Sequence, residues 1–485
     1  MKQEKVVAII GAGVAGLAAA GFLAKHGFKV KVFEAQNHIG GCCSNITSGG
    51  YTFNNGAMTV TLPGLLDHVF ARLGVERASL LPLRRIRAPQ RSFLENGVTV
   101  TLGDNEEVRI DGAHKVSQPG EDIHRLVEKW EPIYQVFKDL LTQPFSAQNW
   151  IHKTWRHLPK FAKTADSELR SLIKDENLRA ALAGHLAYAG VDPSKLPAPT
   201  ILALVVMLKE GYFIPEGGMG RIPEALAQVL KSSGGEIVLN AKVEQIRVQN
   251  GRVAGLEVDG QGFFESNAII SAVSGMLTFG RLLDPAQVPG LLKRKVKNAP
   301  LSMKAFYIQL GTTNKLAIDS HLNYILPSPP EIHKYFSPED DNIRYGFYSI
   351  PTTFMPEIAS NGGSIIELSP AVCLDESLET WDQEKTEKLA DATLALLSRQ
   401  YDLKVAVKRI RTPRHFQDEM HLYKGAIYGL SPTVGPLGLF GHKTPISGLY
   451  LAGQTTYPGF GVTTAAVSGI FSAEALIKNE SRKLK

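Results

Sequence analysis

The stretch VVAIIGAGVAG, residues 6–16, constrains what this chain can fold into more than any other. Its continuous apolar run suits a strand of parallel sheet buried on both faces. Gly11, Gly13 and Gly16 follow at GxGxxG spacing and open an Ala- and Leu-rich helix that runs to about His26. The three glycines do different things. Gly11 permits a tight turn, Gly13 lets the backbone approach a pyrophosphate, and Gly16 lets the helix pack closely on the strand. Ala15 falls in the first helical turn, where unpaired N–H groups and the positive dipole end suit phosphate. A second strand, KVKVF, ends in Glu34-Ala35, and a carboxylate at that place accepts hydrogen bonds from a ribose diol. The pattern predicts a Rossmann-type dinucleotide site, and a ribose acid rather than a 2′-phosphate partner argues against NADP.

A chain of 485 residues exceeds what a single core supports, so two or three lobes are expected. The 53 Lys and Arg against 47 Asp and Glu leave a net charge of +6 spread along the chain, which gives nucleic-acid binding little support. One stretch concentrates basic and aromatic residues. NWIHKTWRHLPKFAK, residues 149–163, interleaves Trp150, Trp155 and Phe161 with Lys153, Arg156, Lys160 and Lys163, as a segment lying on an anionic lipid surface does. Its plainer reading is a solvated helix face with some aromatics turned inward. Cys42, Cys43 and Cys373 are too few for a disulfide framework and match no metal-ligand spacing. No HExxH, GxSxG or P-loop pattern occurs, no histidine set suits a metal, and no apolar run approaches the ~20 residues that cross a bilayer. A cytoplasmic protein, soluble or peripheral on a membrane, is expected.

Helical periodicity appears at 122–130, 133–141, 167–182 and 200–208, with a Pro- and Gly-rich loop, AYAGVDPSKLPAPT, among them. GYFIPEGGMG then leads into an amphipathic helix from Pro223 to Lys231. EIVLNAKVEQIRVQNGRVAGLEVDG alternates as strands do, with hairpin signals at Asn250-Gly251 and Asp259-Gly260, and NAIISAVS reads as a short buried strand. LSMKAFYIQL, residues 301–310, alternates in polarity and predicts a half-exposed strand carrying Lys304. A second strand and glycine-rich turn, LYLAGQTTYPGFGV, precedes the last helix.

EAQNHIGGCCSNITSGGYTFNNGA, with Gly40-Gly41 and the turn Asn55-Gly56-Ala57, resembles the second signature of flavoproteins of the amine oxidase superfamily. The order from AYAGVDPSKLPAPT through PEGGMGRI and LNAKVEQI to AIISAVS resembles the phytoene desaturase and carotenoid isomerase branch of it. The resemblance covers nearly the whole chain and is strongest at 6–57, 187–275 and 448–469. It implies an α/β fold: a Rossmann-type, glutathione-reductase-like FAD-binding domain (1–100, 213–300 and 415–485) interleaved with an α+β substrate-binding domain (101–212 and 301–414). It implies adenine contacts from the strand holding Val243. It places Gly453 and Gln454 by the ribityl chain, and Gly461 and Val462 at a helix N-terminus facing the flavin. Relatives usually carry an arginine after the Gly-Gly pair; Cys42 stands there instead, so that contact is missing or comes from elsewhere.

The resemblance further implies an FAD-dependent desaturase or isomerase of a lipophilic, polyene-like substrate, with oxygen or a quinone as electron acceptor. In the amine oxidase branch a lysine on the strand matching 301–310 serves the flavin, so an amine or imine oxidase using Lys304 is the alternative. A non-catalytic escort of prenylated GTPases is a third use of the same fold.

Overall fold

The computed structural model describes residues 6–112, 118–316, 318–337, 343–372 and 377–482, so Cys373 lies outside the described residues. Two sheets organise the chain. The first has five strands, all parallel, in the order Glu236–Val238, Lys29–Phe33, Val6–Ile10, Ala268–Ser271, Leu449–Leu451. Its central strand is the apolar run ahead of the glycine turn, and Val7 to Ile10 are at most 5% exposed. Strands from opposite ends of the chain thus stand two places apart in one sheet.

The helices Val14–Lys25, Arg221–Ser232 and Val462–Arg482 pack together against this sheet. The first and last approach until no side chain fits between them. A Cβ on Gly469 would stand 2.2 Å from the Ala15 carbonyl oxygen, and one on Gly16 would stand 2.0 Å from the Gly11 oxygen. Real Cβ atoms do not come so close to backbone, so hydrogen alone is tolerated at both positions.

The second sheet has eight strands in the order Val405–Arg411, Tyr307–Thr312, Ser364–Pro370, Gly346–Ser349, Leu322–Leu326, Gln90–Leu94, Thr99–Leu102, Val108–Asp111. All its pairs are antiparallel except Leu322–Leu326 with Gln90–Leu94. The expected hairpins form a three-stranded antiparallel meander, Val243–Gln249, Arg252–Val258 and Gly262–Glu265, with Asn250 and Gly251 both at positive φ as the turn between the first pair requires.

Three elements depart from the sequence-based expectation. Residues 122–130 and 133–141 are one helix, Pro119–Leu141, that runs through Pro132. Trp130, Ile133 and Tyr134 are buried on the same face, so packing on both sides of the proline outweighs its lost hydrogen bond. The segment 167–182 is instead two helices, Ala165–Leu172 and Glu176–His185. The Asp122 carboxylate accepts from the Lys174 and Asp175 amides, and Asp175 caps the second helix through the Leu178 amide, which satisfies the broken turn. The strand expected at 301–310 is Tyr307–Thr312 and is buried along its whole length, because both edges are paired. Its one amide, Gln309, is tolerated inside by donating to the Asn54 carbonyl at 2.6 Å.

Gly469→Ala separates two opposed effects. Helix propensity alone would stabilise by about 0.5–1 kcal/mol. The contact with the Ala15 carbonyl costs more, so a net loss of about 1–3 kcal/mol is expected in chemical denaturation; a gain would refute the close helix contact.

Candidate active site

Above the carboxyl ends of the parallel strands lies a cavity of ≈ 1540 Å³. Gly11, Gly13, Ala15, Glu34 and Ala35 line one end of it. A Cβ on Gly13 would meet nothing within 4 Å, so the backbone there is open to a bound group, and Gly13 is also the N-cap of Val14–Lys25. Gly16 is not on the wall; it lies under the turn and holds it down. The Glu34 carboxylate, 8% exposed, accepts from the Ala12 amide at 2.7 Å and the Gln36 amide at 3.0 Å. It fixes the glycine turn, and each oxygen keeps a lone pair for a further donor.

Gly40, Gly41 and Cys42 continue the wall, with Gly40 bridged to Gly13. Burial pushes the Cys42 thiol up to about 11, so it stays protonated at neutral pH. Its carbonyl accepts from the Ala57 amide at 2.9 Å, and a Cβ on Gly56 would lie 3.0 Å from the same oxygen. What the turn Asn55-Gly56-Ala57 uses of Cys42 is thus backbone. The turn is also tied to the eight-stranded sheet. Glu367, fully buried, accepts from the Asn54 amide at 3.0 Å and from its Nδ2 at 3.3 Å. Burial raises this carboxyl to about 7, against the opposing pull of the Asn54 donors.

Val243 and Lys242 reach the cavity from the meander, and the segment 416–424 covers the same end, with the Gln36 side chain donating through Nε2 to the Glu419 carbonyl. Gly453, Gln454, Gly461 and Val462 line it from the C-terminal turn. Ser468 accepts from the Gly453 amide at 3.0 Å, which pins the end of the last parallel strand to the last helix. That helix starts at Val462, so a second helix N-terminus is aimed at the cavity.

Lys304 is not on the wall, although Met303, Ala305 and Tyr307 are.

Sequence reasoning missed Arg411. It ends the strand Val405–Arg411, is 3% exposed, and lines the cavity close enough to Cys42 for its charge to oppose the rise of that thiol. Its Nη2 contacts the Met420 sulfur at 3.2 Å, while Nε and Nη1 have no hydrogen-bond partner among the described residues. Burial and the nearby Arg409 push the pKa of its guanidinium down to about 10. Glu419 supplies opposing charge but no hydrogen bond to Nε or Nη1, and a bound anion relieves the cost of a buried cation left so. No local pattern in RIRTP signals this; only the fold brings it to Cys42.

The part of the wall built by the helix Pro119–Leu141 and its neighbours is mostly apolar, with Tyr134 and Lys138 among its residues. Phe137, Leu141, Trp150, Phe161, Ala203 and Val206 are on it. Trp150 and Phe161 belong to the short helices Ala147–Thr154 and Leu158–Phe161; on these and on the turn Trp155–His157 between them, Ile151, Trp155 and Leu158 stand out to solvent at 62, 53 and 53% exposure.

Glycine cradle, two helix N-termini and an unpaired buried arginine fit a dinucleotide carrying a pyrophosphate. Comparison with known proteins agrees. The family model described as flavin containing amine oxidoreductase matches residues 14–477. The 4,4'-diapophytoene desaturase (4,4'-diaponeurosporene-forming) of Staphylococcus aureus (strain COL) is 24% identical across 98% of this chain and 99% of its own length. The zeta-carotene-forming phytoene desaturase of Myxococcus xanthus is 26% identical across 98% and 94%. Among solved structures, an oxidoreductase from Methanosarcina mazei superposes with a TM-score of 0.66 at 18% identity, across 97% of this chain and 100% of its own. Putrescine oxidase bound to putrescine superposes with 0.62 at 17%, across 98% and 99%. The cofactor is FAD.

Arg411→Met is expected to weaken FAD binding about 10- to 100-fold, the range for losing charge-assisted hydrogen bonds, and to leave the cofactor-free protein as stable or more so. Calorimetric titration and melting of the stripped protein check both signs. Unchanged FAD affinity would exclude Arg411 from the cofactor site. Glu367 gives a pH dependence. Its folded value, about 7, lies above the ordinary 4.5, so the native state keeps a proton that the unfolded chain loses. Stability should therefore fall as pH rises from about 4.5 to 7, by on the order of 3 kcal/mol. Glu367→Gln should flatten that slope in denaturant titrations.

Proposed function

Because the chain belongs to the family of flavin-containing amine oxidoreductases, we propose that it is an FAD-dependent desaturase of a long, apolar, polyene-like substrate of the carotenoid type. The observation that carries the proposal is one continuous cavity, polar and glycine-lined at the dinucleotide end and walled by Phe137, Leu141, Trp150, Phe161 and Val206 on its mostly apolar part. FAD, when bound, supplies the hydride acceptor.

The residues hold and shield. Gly11, Gly13 and Ala15 with the first helix N-terminus, Gly40 and Gly41, and Arg411 take the phosphates; Glu34 takes the ribose and Val243 the adenine side. Gly453 and Gln454 take the ribityl chain. Gly461 and Val462 present the second helix N-terminus, whose partial positive charge steadies negative charge on the ring by up to ~2 kcal/mol when buried. Apolar walls hold the substrate by area, at ~0.8 kcal/mol per buried CH₂, and keep water from the reacting carbons. An amine oxidase is supported less well, since Lys304 is not among the residues that line the cavity.

Substrates of this kind reside in lipid. Ile151, Trp155 and Leu158, exposed on the elements that bring Trp150 and Phe161 to the cavity, form a landing surface beside its mostly apolar part, with Arg156 stacked over Trp155. Among the described residues no helix is long and apolar enough to cross a membrane. Oxygen or a quinone is the acceptor.

The FAD-loaded protein, given vesicles containing phytoene or 4,4'-diapophytoene and a quinone or air, should produce new visible absorbance bands. An unchanged spectrum with both precursors sinks the proposal. Replacing Ile151, Trp155 and Leu158 together by Ser should lower the rate on vesicle-borne substrate at least about tenfold with flavin content intact; an unaffected rate removes the landing surface.

A further inference from the structure

Within the cavity, one patch of wall is neither cofactor cradle nor hydrocarbon surface. His185, Tyr188, Tyr212, Tyr324 and Tyr428 all line it. They arrive from separate places: the end of the helix Glu176–His185, the turn Leu186–Ala189, the strands Tyr212–Pro215 and Leu322–Leu326, and the segment before Leu430. Tyr212 hydroxyl and His185 Nε2 are 2.8 Å apart. The imidazole ring is 6.1, 6.0 and 6.2 Å from the rings of Tyr188, Tyr212 and Tyr324. The Tyr428 ring lies tilted against Phe460, 4.8 Å between centroids, in the glycine turn beside Gly461.

His185 is 2% exposed and its Nδ1 has no hydrogen-bond partner among the described residues. Burial lowers this imidazole to about 4, so it is neutral at physiological pH. Burial and mutual proximity push the phenols of Tyr188, Tyr212 and Tyr324 upward, so they remain protonated. The patch is therefore uncharged and rich in hydrogen-bonding groups. If Tyr212 donates to Nε2, Nδ1 carries a spare proton; if Nε2 donates, Nδ1 is a spare acceptor. A bare hydrocarbon seated against it would strip water from these groups and give nothing back, which is the costly way to bury polar atoms.

We infer that this patch binds an uncharged oxygen function, a hydroxyl or carbonyl, carried on an isoprenoid chain. The inference rests on the proposed apolar, polyene-type ligand and adds to it that one ligand of the cavity is oxygenated. Two sources share that chemistry: an oxygen-bearing substrate, and a quinone serving as acceptor. A carboxylate is disfavoured, because the patch holds no cation among its five side chains.

Binding to the FAD-loaded protein in detergent micelles, read from the perturbed flavin absorbance, separates the cases without any turnover. The probes are farnesene, farnesol, farnesal and decylubiquinone. Farnesol and farnesal, or the quinone, should bind at least about tenfold more tightly than farnesene. Tyr188→Phe/Tyr428→Phe, which removes only oxygen atoms, and His185→Gln should each cut that advantage to about threefold or less, with the affinity for farnesene unchanged. An advantage confined to farnesol and farnesal assigns the patch to substrate, and one confined to the quinone assigns it to the acceptor. Equal affinity for all four, an advantage that survives both variants, or no binding at all overturns the inference. Failure of the desaturase reading is a different result: vesicle-borne precursors stay colourless while these affinities are still measurable.

Discussion

The contact on which the rest depends is the passage of one helix against another with only hydrogen between them. Gly469 lets Val462–Arg482 touch the backbone of Val14–Lys25 at Ala15, and Gly16 lets the latter press on its own turn. Both helices then begin at the wall of the same cavity, each fed by a strand of the same parallel sheet. Two N-termini converging on one space give a long anionic cofactor two points of attachment. Larger residues at these positions would part the helices, and the two halves of the cofactor site would no longer face each other.

Much of that half of the molecule was legible in the sequence because its signals are local. The GxGxxG turn, the acid ending KVKVF, the Asn-Gly hairpin and the glycine-rich turn before the last helix each state a backbone requirement in a few residues. The order of the strands was not legible, since parallel neighbours lie far apart in the chain. Illegible features have a common cause: a partner remote in sequence. Pro132 looks like a helix end until the buried face around Trp130 and Ile133 is seen, and the break at Lys174-Asp175 is chosen by Asp122, on another helix. Tyr307–Thr312 alternates in polarity yet is buried throughout, because both its edges are paired and Gln309 donates to the carbonyl of Asn54.

The cofactor end makes the same point about chemistry. With cysteine after the Gly-Gly pair, the local sequence lacks a cation. Arg411, from the edge strand of the other sheet, reaches the same place. On the mostly apolar part of the wall, a short segment brings Trp150 and Phe161 to the cavity and Ile151 and Trp155 to solvent, so its mixed composition reflects two surfaces rather than one. Lys304 shows the converse: a chemically suggestive residue that does not line the cavity.

That Arg411 belongs to the eight-stranded sheet while the glycine turn belongs to the parallel one has a thermodynamic consequence. A ligand held by both adds its binding free energy to the cohesion of two separately built sheets, much as a rivet does. By mass action, free cofactor at a hundredfold excess over its dissociation constant adds about 2.7 kcal/mol to the folded state. Without it, the like charges of Arg411 and Arg409 are left facing each other beneath the wall. Cofactor supply thus sets how much of the chain survives as well as how much of it turns over.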